Sequence, residues 1–247
     1  MSADWIQPDW PLAGRVRACI SSRNGGVSQG VYASLNLGSH VDDDPQAVAH
    51  NRAILREQVA LPAEPCWLEQ VHGTDVVELD GQVDGIPRAD GAITSVPGIV
   101  LSVLTADCLP VLLADTESSR VAALHAGWRG LADGILEAGV AVMQRPLPTI
   151  HAYLGPAIGP EAFEVGDEVR ARFLADNTLS EQCFRPSPAG RWLADIYALA
   201  RLRLESAGLD ARHIHGGGRC TFSEADTFFS YRRDGETGRM ASLIWLP

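Results

Sequence analysis

The sequence predicts an α/β protein, a single domain (residues 1–247) of layered mixed sheets flanked by helices. Short runs rich in Val, Ile and Leu alternate with amphipathic stretches of helical period along most of the chain, the pattern of strands interleaved with helices. The 24 glycines and 15 prolines supply tight turns between such short elements. No linker separates the two halves. The least regular segment, residues 176–190, is short and still carries Cys183 and Phe184.

Residues 15–21 turn Val16, Ala18 and Ile20 to one side and read as a strand. They run into the glycine-rich loop Ser22-Arg23-Asn24-Gly25-Gly26-Val27-Ser28. Asp44 before Pro45 is an N-cap followed by proline at the first helical position; Val48, Leu55 and Val59 mark the buried side of a helix that ends near Leu61-Pro62. Residues 67–79 are strand-like at both ends around Gln70-Val71-His72-Gly73. Residues 98–105 and 110–115 are apolar runs separated by Ala106-Asp107-Cys108-Leu109. A third run, 120–125, stops at Ala126-Gly127-Trp128-Arg129-Gly130. A helix striped by Leu131, Ile135, Ala138 and Val142 follows. The second half repeats this grammar. Strand 150–154 leads into Gly155-Pro156-Ala157-Ile158-Gly159-Pro160. Val165, Val169 and Phe173 stripe one helix, and Leu193, Ile196, Tyr197, Ala200 and Leu204 another. Residues 213–218 and 227–231 read as short strands, and 240–246 as a buried closing strand.

Apolar residues at 46% and charged residues at 21% are an ordinary globular balance. The net charge of −11 argues against binding a phosphate polymer or an anionic membrane surface. A small anionic substrate stays compatible, because a local arginine cluster overrides the global field. The start Met-Ser-Ala-Asp-Trp-Ile-Gln-Pro-Asp-Trp has neither the basic segment nor the apolar run of a signal peptide, and no stretch approaches the ~20 apolar residues of a membrane span. Cys19, Cys66, Cys108, Cys183 and Cys220 are dispersed and never form a C-x-x-C pair, which fits a reducing, cytoplasmic setting.

His72, Cys108 and His125 each fall at the end of a strand-like run, where side chains of separate elements can converge. Two imidazoles and a thiolate are a ligand set for zinc that leaves a fourth position open, the catalytic arrangement. Their spacing alone is no metal signature, and on that evidence a small core thiol with backbone-satisfied histidines is the plainer reading. Gly127-Trp128-Arg129-Gly130 joins a strand to a helix N-terminus and offers Arg129 to a phosphate or carboxylate. Arg23 beside Gly25-Gly26, and Asn36 in Ser34-Leu35-Asn36-Leu37-Gly38, are a second place where a ligand approaches the backbone closely; an ordinary turn with a solvated arginine is the plainer alternative, as it is for Arg232 and Arg233. Asp107 and Asp90 are acids suited to moving a proton or orienting a ligand histidine.

Eight ordered motifs resemble those of one family: Ser22-Arg23-x-Gly25-Gly26-Val27-Ser28, Ser34-Leu35-Asn36-Leu37-Gly38, Gln70-Val71-His72-Gly73, Thr105-Ala106-Asp107-Cys108-x-Pro110-Val111, His125-Ala126-Gly127-Trp128-Arg129-Gly130, Gly155-Pro156-x-Ile158-Gly159, Phe228-Phe229-Ser230-Tyr231-Arg232 and Thr237-Gly238-Arg239-Met240-Ala241. From about residue 15 to the C-terminus the chain is similar to the YfiH family, also called the laccase-domain or multicopper polyphenol oxidase family. The resemblance implies the YfiH-like cysteine hydrolase fold, with metal ligands at His72, Cys108 and His125 and zinc as the metal, copper being an opportunistic alternative. It implies purine nucleoside phosphorolysis of adenosine, inosine and methylthioadenosine, together with adenosine deamination, by a monomer or homodimer. Arg23, Asn36 and Arg129 are then candidate substrate contacts, and Cys108, Asp107 and Arg129 candidate catalytic groups. Two further activities attach to the family: a Cys-His hydrolase acting in peptidoglycan precursor editing, and a copper-dependent polyphenol oxidase. With seven histidines, two of them in the trio, too few remain for a trinuclear copper cluster and its usual partners.

Overall fold

Side chains alternate between the two faces of a strand, and this sorting sets the layers of the molecule. The computed structural model describes residues 5–12, 14–81, 85–117, 119–188 and 190–247, so the first four residues of the N-terminal stretch lie outside it. Strand β1 (Arg17–Ile20) is followed by the glycine-rich loop and by α1 (Pro45–Val59), where the Asp44 carboxylate accepts from the Gln46 amide as the cap. Then come β2 (Val76–Glu78), β3 (Gly91–Thr94), β4 (Leu101–Thr105), β5 (Leu109–Asp115) and β6 (Val121–Ala126). Helices α2 (Trp128–Asp133) and α3 (Ile135–Met143) lead to β7 (Ile150–Leu154). The order ends with β8 (Glu164–Val165), α4 (Asp167–Asp176), β9 (Phe184–Pro186), β10 (Trp192–Ala194), α5 (Ile196–Ser206), β11 (Ile214–Gly216), α6 (Tyr231–Asp234) and β12 (Met240–Trp245).

A six-stranded mixed sheet runs β11-β7-β5-β6-β3-β2, parallel at its two edge pairs and antiparallel through its centre. A three-stranded antiparallel sheet, β1-β12-β4, packs on it, and a small sheet, β8-β10-β9, stands apart. Leu109, Val111 and Leu113 of β5 and Leu124 of β6 face a core shared with α2, α3, α4 and α5. Their alternates Leu112, Ala114, Val121 and Ala123 face the three-stranded sheet through Leu101, Val103 and Ile244. The far side of that sheet, with Cys19, Leu104 and Leu243, is covered by Leu55 of α1 and by Leu35 and Leu37. The layers are thus helices, six strands, three strands, and α1 with its loops, in agreement with a single α/β domain of layered mixed sheets.

Several elements differ from the sequence reading. The helix expected across residues 131–142 is two, because Gly134 (φ +106°) takes the left-handed conformation that ends α2 and restarts α3 in a new phase. Leu136, Gly139, Val140 and Met143 therefore face the core, and Ala138 and Val142 are only half-buried. Val165 and Leu193, expected on helices, lie on strands β8 and β10, because Gly166 and Asp195 cap the helices after them. Residues 227–231 form no strand and instead lead into α6. Both faces of β1 are covered, so Cys19 is as buried as Ile20, and the inward-outward alternation expected there does not hold.

Gly139 sits in α3 directly over Leu124, and a Cβ there would collide with Leu124 Cδ1. Helix propensity alone predicts that Gly139→Ala stabilises by about 1 kcal/mol. Overpacking reverses the sign, and we expect a loss of roughly 1–3 kcal/mol. A higher urea midpoint for Gly139→Ala would contradict this packing.

Candidate metal centre and cavity

Three chain crossings bring the candidate ligands together. Cys108 lies at the corner where the chain leaves the three-stranded sheet at Thr105 and joins the six-stranded sheet at Leu109. His125 is near the end of β6, opposite Pro110 of β5, on the same face as Val121 and Ala123. His72 occupies a turn beside β3 and has φ +62°, the left-handed region. The ligand atoms of the three residues lie within 4.8 Å of one another, with His72 Nε2 3.8 Å from Cys108 Sγ. The imidazole rings meet edge to face at 80°.

Asp90 holds this arrangement. Fully buried, it precedes β3 and accepts three backbone N–H groups of the turn: Val71 (3.1 Å), His72 (2.9 Å) and Gly73 (2.6 Å). Its Oδ1 also lies 2.8 Å from His125 Nδ1, which leaves Nε2 of that ring for a metal. Gly127 clears the remaining space, since a Cβ there would stand 2.6 Å from His72 Cδ2 and 3.2 Å from Cys108 Sγ. Gly130 lets α2 rest on the same turn, where a Cβ would stand 2.6 Å from the Gly73 carbonyl oxygen.

The donor set fits a metal. A tetrahedral zinc with bonds of about 2.0–2.3 Å separates its ligands by roughly 3.3–3.7 Å, close to the separation of His72 Nε2 from Cys108 Sγ. Without an ion the trio is a charge-coupled cluster. Burial pushes the Cys108 thiol up, but His125 and His72 more than offset it and hold it down at about 6. Burial pulls His125 down, yet the Cys108 and Asp90 charges carry it up to about 9. Burial raises Asp90 too, and the His125 hydrogen bond with the turn amides brings it below the usual carboxylate range.

A cavity of about 600 Å³ opens over the trio. Its wall carries the aromatic residues Trp67, Trp128, Phe163 and Tyr231, and the basic residues His40, Arg52, Arg129, Arg232 and Arg239. A basic wall in a chain of net charge −11 marks a place for an anion. Arg129 is exposed on the wall and stacks on Trp128 at 4.6 Å. Asp107 also lines the cavity, but both carboxylate oxygens are engaged: Oδ1 accepts from Thr221 Oγ1 and Oδ2 from the Arg232 amide, each at 2.6 Å. With φ +94° it pins the corner that presents Cys108.

Arg23 and Asn36 are not in the wall. The Arg23 guanidinium donates to the carbonyls of Ala33 and Ala225 and packs on Phe229, so it ties loops together. Asn36 is fully buried; its Oδ1 accepts from the Gly38 and Arg239 amides, so it acts on the cavity only through Arg239. Arg233 likewise donates to the carbonyls of Thr221, Phe222 and Phe228. His40, Arg52 and Trp67 were not legible as site residues, because they reach the cavity by long-range packing and stand in no short motif. Arg239 lay inside a motif without its role being apparent. Among the described residues the trio is the one group that could hold a metal. His151, His213 and His215 stack instead, with His151 Nδ1 2.9 Å from His215 Nε2.

Two outcomes follow from this geometry. Asp90→Asn loses one acceptor oxygen, so zinc affinity measured by chelator competition should fall about 10–100-fold with the fold retained; unchanged affinity would remove Asp90 as the organiser. In metal-stripped protein, iodoacetamide should alkylate Cys108 with a midpoint near pH 6, because the lowered thiol is deprotonated above that pH. A midpoint near 9 would show that the two histidines do not act on the thiol.

The family model described as multi-copper polyphenol oxidoreductase laccase matches residues 17–247. The chain is 54% identical to a purine nucleoside phosphorylase of Pseudomonas aeruginosa and 52% identical to purine nucleoside phosphorylase YfiH of Escherichia coli K12, in each case over 98% of both chains. Among solved structures it is similar to a Neisseria meningitidis protein of family DUF152, with a TM-score of 0.92 and 48% identity over 98% of both chains. It is also similar to YlmD of Geobacillus stearothermophilus, with a TM-score of 0.90 and 32% identity over 100% of this chain and 97% of that one. With nearly its whole length matched in sequence and in fold, the chain belongs to the laccase-domain family.

Proposed function

We propose that this chain is a purine nucleoside phosphorylase that cleaves adenosine, inosine and methylthioadenosine with inorganic phosphate in the cytoplasm. The observation that carries the reading is a cavity of about 600 Å³ whose floor is the His72–Cys108–His125 trio and whose wall alternates aromatic rings with cations. That volume lies within the roughly 300–1,000 Å³ of small-molecule sites. Aromatic faces suit a purine, and guanidinium groups suit phosphate and ribose oxygens. The names of the relatives at 52–54% identity support the same chemistry, and the five free cysteines support a reducing compartment.

In this reading His72, Cys108 and His125 would hold zinc, which would supply a Lewis acid beside the bound nucleoside. Copper binds nitrogen and sulfur ligands more tightly and occupies the same site opportunistically. Trp128, Phe163 and Tyr231 stack against the base and keep water from the reacting bond. Arg129, free to swing over Trp128, contacts the ribose hydroxyls. Asp107 positions Cys108 by holding its corner and does not move a proton, because both its oxygens already accept hydrogen bonds. Adenosine deamination is a second activity of the same cavity, in which water adds at purine C6 and ammonia leaves, the glycosidic bond staying intact.

One rival has an observation of its own. Cys108, His125 and Asp90 stand in the order of a thiol, its base and an orienting carboxylate, the arrangement of a hydrolase. Such an enzyme, acting on a peptidoglycan precursor, needs no metal. The copper oxidase reading is weaker, since among the described residues one group could hold a metal.

A product scan separates these readings. With adenosine and phosphate the zinc-loaded protein should release adenine and ribose 1-phosphate, and leaving out phosphate should drop adenine release to background. Inosine formed without phosphate measures deamination. Adenine release that ignores phosphate would contradict phosphorolysis. Chelation should abolish turnover and make Cys108 reactive to iodoacetamide; full activity in chelator with immediate loss on alkylation would instead select the hydrolase.

A further inference from the structure

The cavity has two unlike ends. At one, Ile158, Phe163 and Ile196 continue the core beneath α3 and α5. At the other, an imidazole and two guanidiniums arrive from separate segments: His40 from the loop before α1, Arg52 from α1, and Arg239 from the approach to β12. Gly38 is where Arg239 and His40 meet. A Cβ on it would stand 2.8 Å from Arg239 Cγ and 3.4 Å from His40 Cε1, so glycine lets the arginine stem and the imidazole pass.

Both guanidiniums are held in place along one edge. Arg239 donates through Nη1 to the carbonyls of Thr237 and Gly238, while its amide is fixed by Asn36 Oδ1. Arg52 donates through Nε and Nη2 to the Leu37 carbonyl and lies 4.0 Å over Trp67. Among the described residues no partner meets Nε or Nη2 of Arg239, or Nη1 of Arg52, and none of these donors is sealed from solvent. The nearby carboxylates have partners of their own, and Glu69, in the same wall, lies 3.9 Å from Arg88. Asp107 serves Thr221 and the Arg232 amide, Asp43 serves Ser28 and Asn36, and Glu64 takes the Trp67 indole and Arg56. Two guanidiniums held in place with free N–H groups, and an imidazole that burial and the two arginines keep neutral beside them, are built for an external oxyanion. Arg239 lines the same cavity as His72, Cys108 and His125, which sets this end beside the trio.

We propose that Arg239, Arg52 and His40 form the phosphate subsite of the cavity, an assignment that rests on the phosphorylase reading. Nucleoside then lies toward Phe163 and Trp128, with its anomeric carbon between the two ends. An oxygen of hydrogen phosphate bonds to C1′ as the C1′–N9 bond breaks; the bonding pair leaves with the purine, and the proton of hydrogen phosphate ends on the base. The basic residues fix the attacking oxygen. Arg129, exposed and hydrogen-bonded to no residue described here, stays with the ribose.

Titration calorimetry of the purified protein with inorganic phosphate, paired with KM values for phosphate and for adenosine, tests the assignment. Hydrogen bonds to a charged group are worth about 1.5–3 kcal/mol, so Arg239→Gln and Arg52→Gln should each raise the phosphate Kd and KM at least about tenfold. The adenosine KM should stay within a few-fold, and Arg212→Gln, a surface charge control, should change nothing. Arg239→Lys keeps the stem and the charge without the fork, and an intermediate Kd with an unaltered circular dichroism spectrum separates lost binding from lost folding. Phosphate-dependent turnover with phosphate Kd and KM unchanged in both glutamine variants overturns the subsite and leaves the phosphorylase reading standing. Arg239-dependent phosphate binding without any phosphate-dependent cleavage keeps the anion subsite and removes the phosphorylase reading. A wild-type protein that binds no phosphate overturns the subsite outright.

Discussion

The structure around the trio depends on one buried carboxylate. A fully buried Asp is unfavourable unless its lone pairs are filled, and Asp90 meets that demand with three amides of the 71–73 turn and the His125 ring. The same residue enters the sheet through its carbonyl, which accepts from the His125 amide at 2.7 Å. Asp90 thus joins a turn that would otherwise be a free loop to the strand pair β3–β6. Removing the negative charge would loosen His72 and unlock the ring orientation of His125 together.

Tight packing turns that anchor into a site. Gly127 and Gly130 have no side chains at the points where the strand-to-helix turn crosses His72, and this permits the helix start to press against the ligand loop. Two residues beside the cavity, His72 and Asp107, hold left-handed backbones that are unfavourable outside glycine. Each is restrained by a carboxylate: Asp90 grips the turn of the first, and the Asp107 side chain grips Thr221 and the Arg232 amide. The floor of the cavity is therefore rigid, whereas its rim carries the exposed side chains of Ile86, Arg129 and Tyr231. A floor pinned by buried hydrogen bonds beneath an exposed rim suits a site that fixes its ligand groups yet stays open to solvent.

Much of this was legible in the chain. The apolar runs of β4, β5, β6, β7 and β12 and the Asp44-Pro45 start of α1 declare themselves by period and cap, because each is a local signal. The trio was legible through its motifs, although its spacing alone left a core thiol the plainer reading. Strand β3 was missed since Gly91-Ala92-Ile93-Thr94 is short and becomes a strand only by pairing with β6. The break at Gly134 was missed because an isolated glycine fits a helical pattern until its φ is known. Arg23 and Asn36 drew attention through glycine-rich surroundings, but those glycines serve close backbone packing: a Cβ on Gly26 would collide with the Ser34 carbonyl. The cations that do face the cavity come from places far apart in sequence, and only the folded layers bring them together.

We propose that His72, Cys108 and His125 share one metal ion through Nε2, Sγ and Nε2. Diffraction from zinc-reconstituted crystals on either side of the zinc absorption edge tests it most directly. The account predicts a single anomalous peak about 2.0–2.3 Å from all three atoms, with no fourth protein ligand. An anomalous peak at the stacked histidines 151, 213 and 215 alone, or one at the trio closed by a fourth side chain, would contradict it.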